Sequence, residues 1–453
     1  MKPGTKTIFG TTVILATLLC SQLALAQPPG FPGRPAAPEV IPDPVVAPIP
    51  VIKPIEGPGN VYNSSAALWP GMGLEHFDYV VNEYRITGTA AGEPYATRLV
   101  IRQPRDDSKA SGLVVAEAMH PAGAAHAFEY NSLYIMDAGH IAVEIDTQGA
   151  EQIAAYNPER YGFIKLNNNQ VNEILAQAGA LIKSPQSPIA HLPLRKMVLW
   201  GTSASSGILV AYLPAHRVYK LGSMDNIYDG FMPTMNGSTI APVDVPIIQV
   251  PTQHEFQNVA TATQDSDEPG HQFRVYQFPG MAHLDSRNTR ARFTQEDCLN
   301  PLSNLPIDAF TSVALHHLLQ WVDKGIVPPR AERVIMDMFV DNDGSLMQLD
   351  DHGNAKGGIR NTYVDLPLAK YTMINPPNPD STGPGLGRMN TPLLCFLSGW
   401  ETPLEPAVLR DMYGSPGNYL RLVEARLNEL EAQGWSLPVY REVILGDARA
   451  ASF

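Results

Sequence analysis

The stretch Met197-Val198-Leu199-Trp200-Gly201-Thr202-Ser203-Ala204-Ser205-Ser206-Gly207 constrains this chain more than any other. Four apolar residues predict a short buried strand, and small residues follow at once. Their core, Gly201-Thr202-Ser203-Ala204-Ser205, is a G-x-S-x-S form of the nucleophile elbow, a strained strand-to-helix corner with a serine at its tip. Small residues two positions to either side let the backbones approach closely, and Ser205 stands where a second glycine is commonest. Gly207-Ile208-Leu209-Val210-Ala211-Tyr212 is expected to begin the helix, whose N-terminal N–H groups would point at the corner. A small-residue turn without chemistry fits the same letters, so the surroundings must decide.

Upstream, residues 77–86 and 95–102 show the alternation of half-buried antiparallel strands, split by Gly88 and Gly92. Residues 111–118 and 141–145 are continuous and apolar, as buried parallel strands are. Residues 124–138 between them are compatible with helix. Residues 169–183 space Val171, Ile174, Leu175, Ala178 and Leu181 as one helical face. Strand–helix–strand alternation of this kind predicts a mostly parallel α/β sheet with helices on both faces.

A serine nucleophile needs a base and an orienting acid, expected after it in the order Ser, acid, His. Residues 245–251 predict a strand that Thr252-Gln253-His254-Glu255 closes. Residues 273–278 predict another, followed by Pro279-Gly280-Met281-Ala282-His283. The trio is therefore Ser203 as nucleophile, His283 as base and Glu255 as orienting acid, with Asp229, Asp265, Asp267 and Asp285 as rivals for the acid. Oxyanion donors are expected from the N–H of Ala204 and from the loop Met119-His120-Pro121-Ala122-Gly123. Pro121 has no N–H, so His120 or Ala122 would supply the second. His120, His126, His140 and His254 lack metal-ligand spacing, so neither metal nor organic cofactor is expected. Asp341-Asn342-Asp343-Gly344 opens like a calcium loop, but position twelve is His352 rather than glutamate, which favours a plain turn.

Several motifs resemble the large "alpha/beta hydrolase domain" proteins of bacteria. They are the elbow itself, Tyr228-Asp229-Gly230-Phe231-Met232-Pro233 and the Pro279-Gly280-Met281-Ala282-His283-Leu284-Asp285 loop, with residues 318–329 and 353–360. The resemblance runs from about Ala66 to the end. It implies an α/β-hydrolase fold and a carboxylic ester hydrolase, with Ser203 and His283 in the nucleophile and base positions. Where two acidic residues are common in that family, this chain has Thr252-Gln253-His254-Glu255, which leaves one.

The ends of the chain set its organisation. Lys2 and Lys6, the apolar run from Ile8 to Leu19 and Ala24-Leu25-Ala26 predict a signal peptide over 1–26, with no stable membrane span after processing. Residues 27–59 are proline-rich and predict an extended linker. The hydrolase core is expected over 60–330, and a C-terminal extension packed on it over 331–453, with a helix from Ser415 to Gln433. Export to the periplasm or beyond follows. There Cys298 and Cys395, the two cysteines of the mature chain, are expected to pair, although Cys395 in an apolar run also suits a buried thiol. A net charge of −13 disfavours nucleic acid as a partner. A small-molecule ester is the expected substrate. A peptidase or amidase using the same triad, and an exported binding protein on a dead hydrolase scaffold, remain alternatives.

Overall fold

The computed structural model describes residues 42–256, 263–284, 287, 297–337, 346–380 and 391–453. The expected signal peptide, the first part of the linker, Asp285 and Asp341–Gly344 lie outside the described residues. Thirteen strands are numbered among the described residues: β1 Val45–Val46, β2 Val51–Pro54, β3 Tyr79–Ala90, β4 Glu93–Pro104, β5 Leu113–Ala118, β6 Ile141–Ile145, β7 Lys196–Thr202, β8 Tyr219–Lys220, β9 Gly230–Thr234, β10 Ile247–Gln249, β11 Phe273–Val275, β12 Ala369–Thr372 and β13 Trp400–Pro403.

Nine of them form one sheet in the order β11-β10-β9-β7-β5-β6-β4-β3-β2. The six from β11 to β6 run parallel, and β4, β3 and β2 join antiparallel. Alternate residues of the central strands feed two different cores. Val115 of β5 with Val198 and Trp200 of β7 pack on the face that carries Ser132–Asp137 and the helix Ile307–Lys324. Val114 and Ala116 with Met197 and Leu199 pack on the opposite face, beneath Val171–Ile182 and Ala204–Val218. Burial on both faces is why these strands are continuously apolar in sequence. The fold is α/β, as the alternation of strands and helices predicts.

Two expectations change. Residues 43–59 are not simply linker: Val51–Pro54 pairs with Tyr84–Thr87 at the sheet margin. Proline lacks an N–H and is tolerated on an edge strand, so a Pro-rich composition does not exclude pairing there. And β4 is not half-exposed, since it is buried from Tyr95 to Pro104. Its polar positions face a buried ion cluster instead of water. Arg98 reaches Glu83, Glu144 and Asp146 at 3.0, 3.1 and 3.3 Å, and Arg102 reaches Glu144 at 2.7 Å.

The C-terminal residues continue the first core. Helix Pro416–Ala432 buries Tyr419, Val423, Leu427 and Leu430. Tyr440 shares a 2.8 Å hydrogen bond with Ser312 of the helix Ile307–Lys324, and the ring of Trp435 meets Tyr276 edge-on at 5.2 Å. Cys298 and Cys395 are joined in a disulfide. No helix among the described residues is long and apolar enough to cross a membrane.

Candidate active site

The corner after β7 is tight. Ser203 has φ +54° and ψ −121°, a conformation that side chains seldom adopt, and the helix begins at Ala204 rather than at Gly207. A Cβ on Gly201 would lie 2.5 Å from the Ser205 carbonyl oxygen and 2.7 Å from Ser206 Cα, so only glycine fits at that position. Ser205 does more than stay small. Its buried hydroxyl accepts the Thr202 N–H and donates to the Thr202 carbonyl, both at 2.9 Å, closing the corner on itself. Ser203 N–H donates to the Thr234 carbonyl at 3.1 Å, which ties the corner to β9.

Ser203 Oγ lies 2.7 Å from His283 Nε2, and His283 Nδ1 lies 2.8 Å from Glu255 Oε1. The other carboxylate oxygen, Oε2, accepts the Thr252 N–H at 2.7 Å and the Thr252 hydroxyl at 2.5 Å. Burial opposes charge on Glu255, but His283 beside it and the hydrogen bonds from His283 and Thr252 hold its carboxyl below the ordinary range. An ionised Glu255 accepts at both oxygens, which assigns the proton of a neutral His283 to Nδ1 and leaves Nε2 as the acceptor facing Ser203. The loops carrying acid and histidine are stitched together: Gln253 accepts the Gly280 N–H at 2.8 Å and donates its own N–H to the Met281 carbonyl at 3.0 Å.

A sequence profile described as "Alpha/beta hydrolase domain" matches residues 47–445. The chain belongs to this family. Among solved structures, a cold-adapted esterase from an Arctic intertidal metagenomic library is 14% identical, over 44% of this chain and 84% of its own, with a TM-score of 0.26. Fungal esterase from Rhizomucor miehei is 9% identical, over 44% of this chain and 74% of its own, with a TM-score of 0.28. At such scores the likeness carries no argument about this chain. No curated protein matches it.

Within this alpha/beta hydrolase, three rival acids are engaged elsewhere. Asp229 holds Lys183 and Lys196 at 2.7 and 3.2 Å and accepts the Met197 N–H, at the opposite end of β7 from Ser203. Asp265 pairs with Arg333 at 2.7 Å, and Asp267 with Arg330 at 2.8 Å. Ala204 opens its helix, so its N–H has no intrahelical acceptor. Both backbone donors expected from the loop after β5 are engaged elsewhere. The backbone N–H of His120 is spent on the Ala124 carbonyl at 3.0 Å, because the loop folds into a tight turn with a bridge between those residues. The Ala122 N–H is spent on His120 Nδ1 at 3.1 Å. With Nδ1 accepting, the proton of a neutral His120 ring sits on Nε2. No cluster of three or more potential metal ligands occurs among the described residues. Thr252, the Ser205 hydroxyl and the Gln253 stitch were missed by sequence reasoning. Their only signal was position beside an expected catalytic residue.

Proposed function

We propose that this hydrolase is an exported serine esterase that cleaves a small carboxylic ester through an acyl-enzyme. The observation that carries the reading is the unbroken chain from Ser203 Oγ to His283 Nε2 and from His283 Nδ1 to Glu255, at 2.7 and 2.8 Å. Both distances are within reach for proton transfer and orientation.

Ser203 Oγ attacks the acyl carbonyl as its proton passes to His283 Nε2, giving a tetrahedral oxyanion. The Ala204 N–H at the helix start, with the positive end of the helix dipole behind it, supports that charge. The intermediate collapses, the C–O bond to the alcohol breaks, and Nε2–H protonates the departing oxygen. Water then attacks the acyl-enzyme with His283 as base, releasing the acid and restoring Ser203. Ionised Glu255 stabilises the imidazolium at both stages. No metal or organic cofactor enters these steps. Export rests on the n-region, apolar run and Ala-x-Ala site of residues 1–26.

The test is steady-state hydrolysis of matched p-nitrophenyl esters and p-nitroanilides, with a pre-steady-state burst measured on the ester. Faster ester turnover with a burst of one p-nitrophenol per enzyme is expected. A higher kcat/KM on the anilide would favour the peptidase alternative, and no turnover of either by folded protein would favour a binding scaffold. N-terminal sequencing of exported protein is expected to start at Gln27.

A further inference from the structure

The C-terminal residues touch the proposed catalytic loops on both sides of the acid–base pair. Immediately after His283, the Leu284 N–H donates to the Leu397 carbonyl at 2.9 Å. Immediately before Glu255, His254 Nε2 lies 2.7 Å from the Phe396 carbonyl, which can only accept, so Nε2 carries the proton. The His254 ring also meets that of Phe396 at 5.5 Å and that of His283 edge-on at 6.3 Å. A Cβ on Gly399 would lie 3.1 Å from Ala282 Cβ, so the backbone there presses on the residue preceding His283. Two successive carbonyls of the helix Thr391–Ser398 thus hold the residues flanking Glu255 and His283.

That helix is anchored by the disulfide. Leu394 and Cys395 belong to a small apolar cluster with Leu284, Cys298 and Leu302, separate from the two large cores on either face of the sheet. Cys395 precedes the two clamping carbonyls by one and two residues, and Cys298 belongs to the strand-like stretch that bridges Pro377 and, through Leu302, Trp400. Cutting the bond therefore loosens this segment selectively and leaves the sheet intact.

We propose that residues 394–399 are a positioning strap, locked by Cys298–Cys395, that aligns His283 and Glu255, with His254 as the positioning residue that passes the restraint to the acid. This rests on the esterase reading above. Burial holds the His254 ring down to about 4, against the pull of neighbouring Glu255 and with His283 opposing protonation too, so the ring is neutral and donates at working pH. Its Nδ1 is buried without a partner among the described residues, so the one hydrogen bond the ring makes is the one to the strap. The groups that face it are Glu255, His283 and the Phe396 carbonyl.

The experiment compares the oxidised full mature chain, the same protein treated with dithiothreitol, Cys298→Ser/Cys395→Ser, and His254→Ala with the disulfide intact. Each is assayed for p-nitrophenyl ester hydrolysis across pH and for the rate of fluorophosphonate labelling, with circular dichroism as the check on folding. Misplacing the pair by about 1 Å costs on the order of 10²-fold, so kcat is expected to fall by about that factor with KM little changed. The acid limb of kcat/KM is expected to move to lower pH, because a misaligned Glu255 stabilises the imidazolium less. A merely structural disulfide would lower the melting temperature without moving that limb. If the cysteine variant does not fold, His254→Ala alone gives the same readings. Active oxidised enzyme whose kcat and pH profile survive both changes overturns the strap. Oxidised wild type that neither turns over ester nor takes up the probe overturns the esterase reading itself.

Discussion

Replacing Glu255 by glutamine tests the orienting acid at almost constant volume. Glu255 Oε2 accepts two hydrogen bonds from Thr252, one from its N–H at 2.7 Å and one from its hydroxyl at 2.5 Å, while Oε1 faces His283 Nδ1 at 2.8 Å. A glutamine has a single acceptor oxygen. The Thr252 backbone N–H cannot turn round, so that oxygen is claimed there and the amide nitrogen is directed at His283. An amide N–H facing Nδ1 forces Nδ1 to accept and moves the imidazole proton to Nε2. In that tautomer Nε2 donates to Ser203 and cannot take its proton. The same tautomer error in a Ser-His-Asp triad costs about 10⁴ in kcat, so Glu255→Gln is expected to lose about 10³- to 10⁴-fold, or about 4–5.5 kcal/mol of transition-state stabilisation. Initial rates on a p-nitrophenyl ester measure it, with thermal melts confirming that the variant folds. A rise in KM alone, or activity within about tenfold of wild type, would return the acid's role to another carboxylate.

Gly201→Ala drives a methyl into the backbone of Ser205 and Ser206 and is expected to cost about 1–3 kcal/mol in urea unfolding, together with most of the activity; an unchanged midpoint would mean the corner yields. Asp229→Asn removes the rival acid at the far end of β7, and kcat/KM is expected to stay within about twofold while stability falls through the loss of the Lys183 and Lys196 pairs. Burial pushes His140 down to about 3 and His317 to about 4, whereas the unfolded chain protonates at about 6.5. The unfolded state then binds more protons between those values, so this stability is complete above about pH 6.5 and is lost as pH falls toward the folded values. A urea midpoint at about pH 4.5 equal to that at about pH 7 would contradict it.

The elements that position the site were legible because their physics is local. Gly201 and the small residues around Ser203 announce a close-packed corner, and apolar continuity in 113–118 and 197–200 marks strands buried on both faces. What escaped depends on distant partners. The alternation of β4 predicts a wet face, but Arg98 and Arg102 meet carboxylates from β3, β6 and the residue after β6 that lie 15 to 48 residues away. Val51–Pro54 looks like linker until β3, 30 residues or more further on, offers it a partner and makes it the edge strand. His120 and Ala122 fail as backbone donors because a five-residue turn uses both N–H groups internally, which composition cannot reveal. Ser205 was legible as a small residue and illegible as a staple, since that role exists only once the corner has formed.

The esterase reading requires Ser203 to be an activated nucleophile. Labelling the purified protein with a fluorophosphonate probe and locating the adduct by peptide mass spectrometry tests it. One adduct is expected, on the peptide carrying Ser203, absent from Ser203→Ala and strongly slowed in His283→Ala. Folded wild type that takes up no probe, or takes it up on another residue, would contradict it.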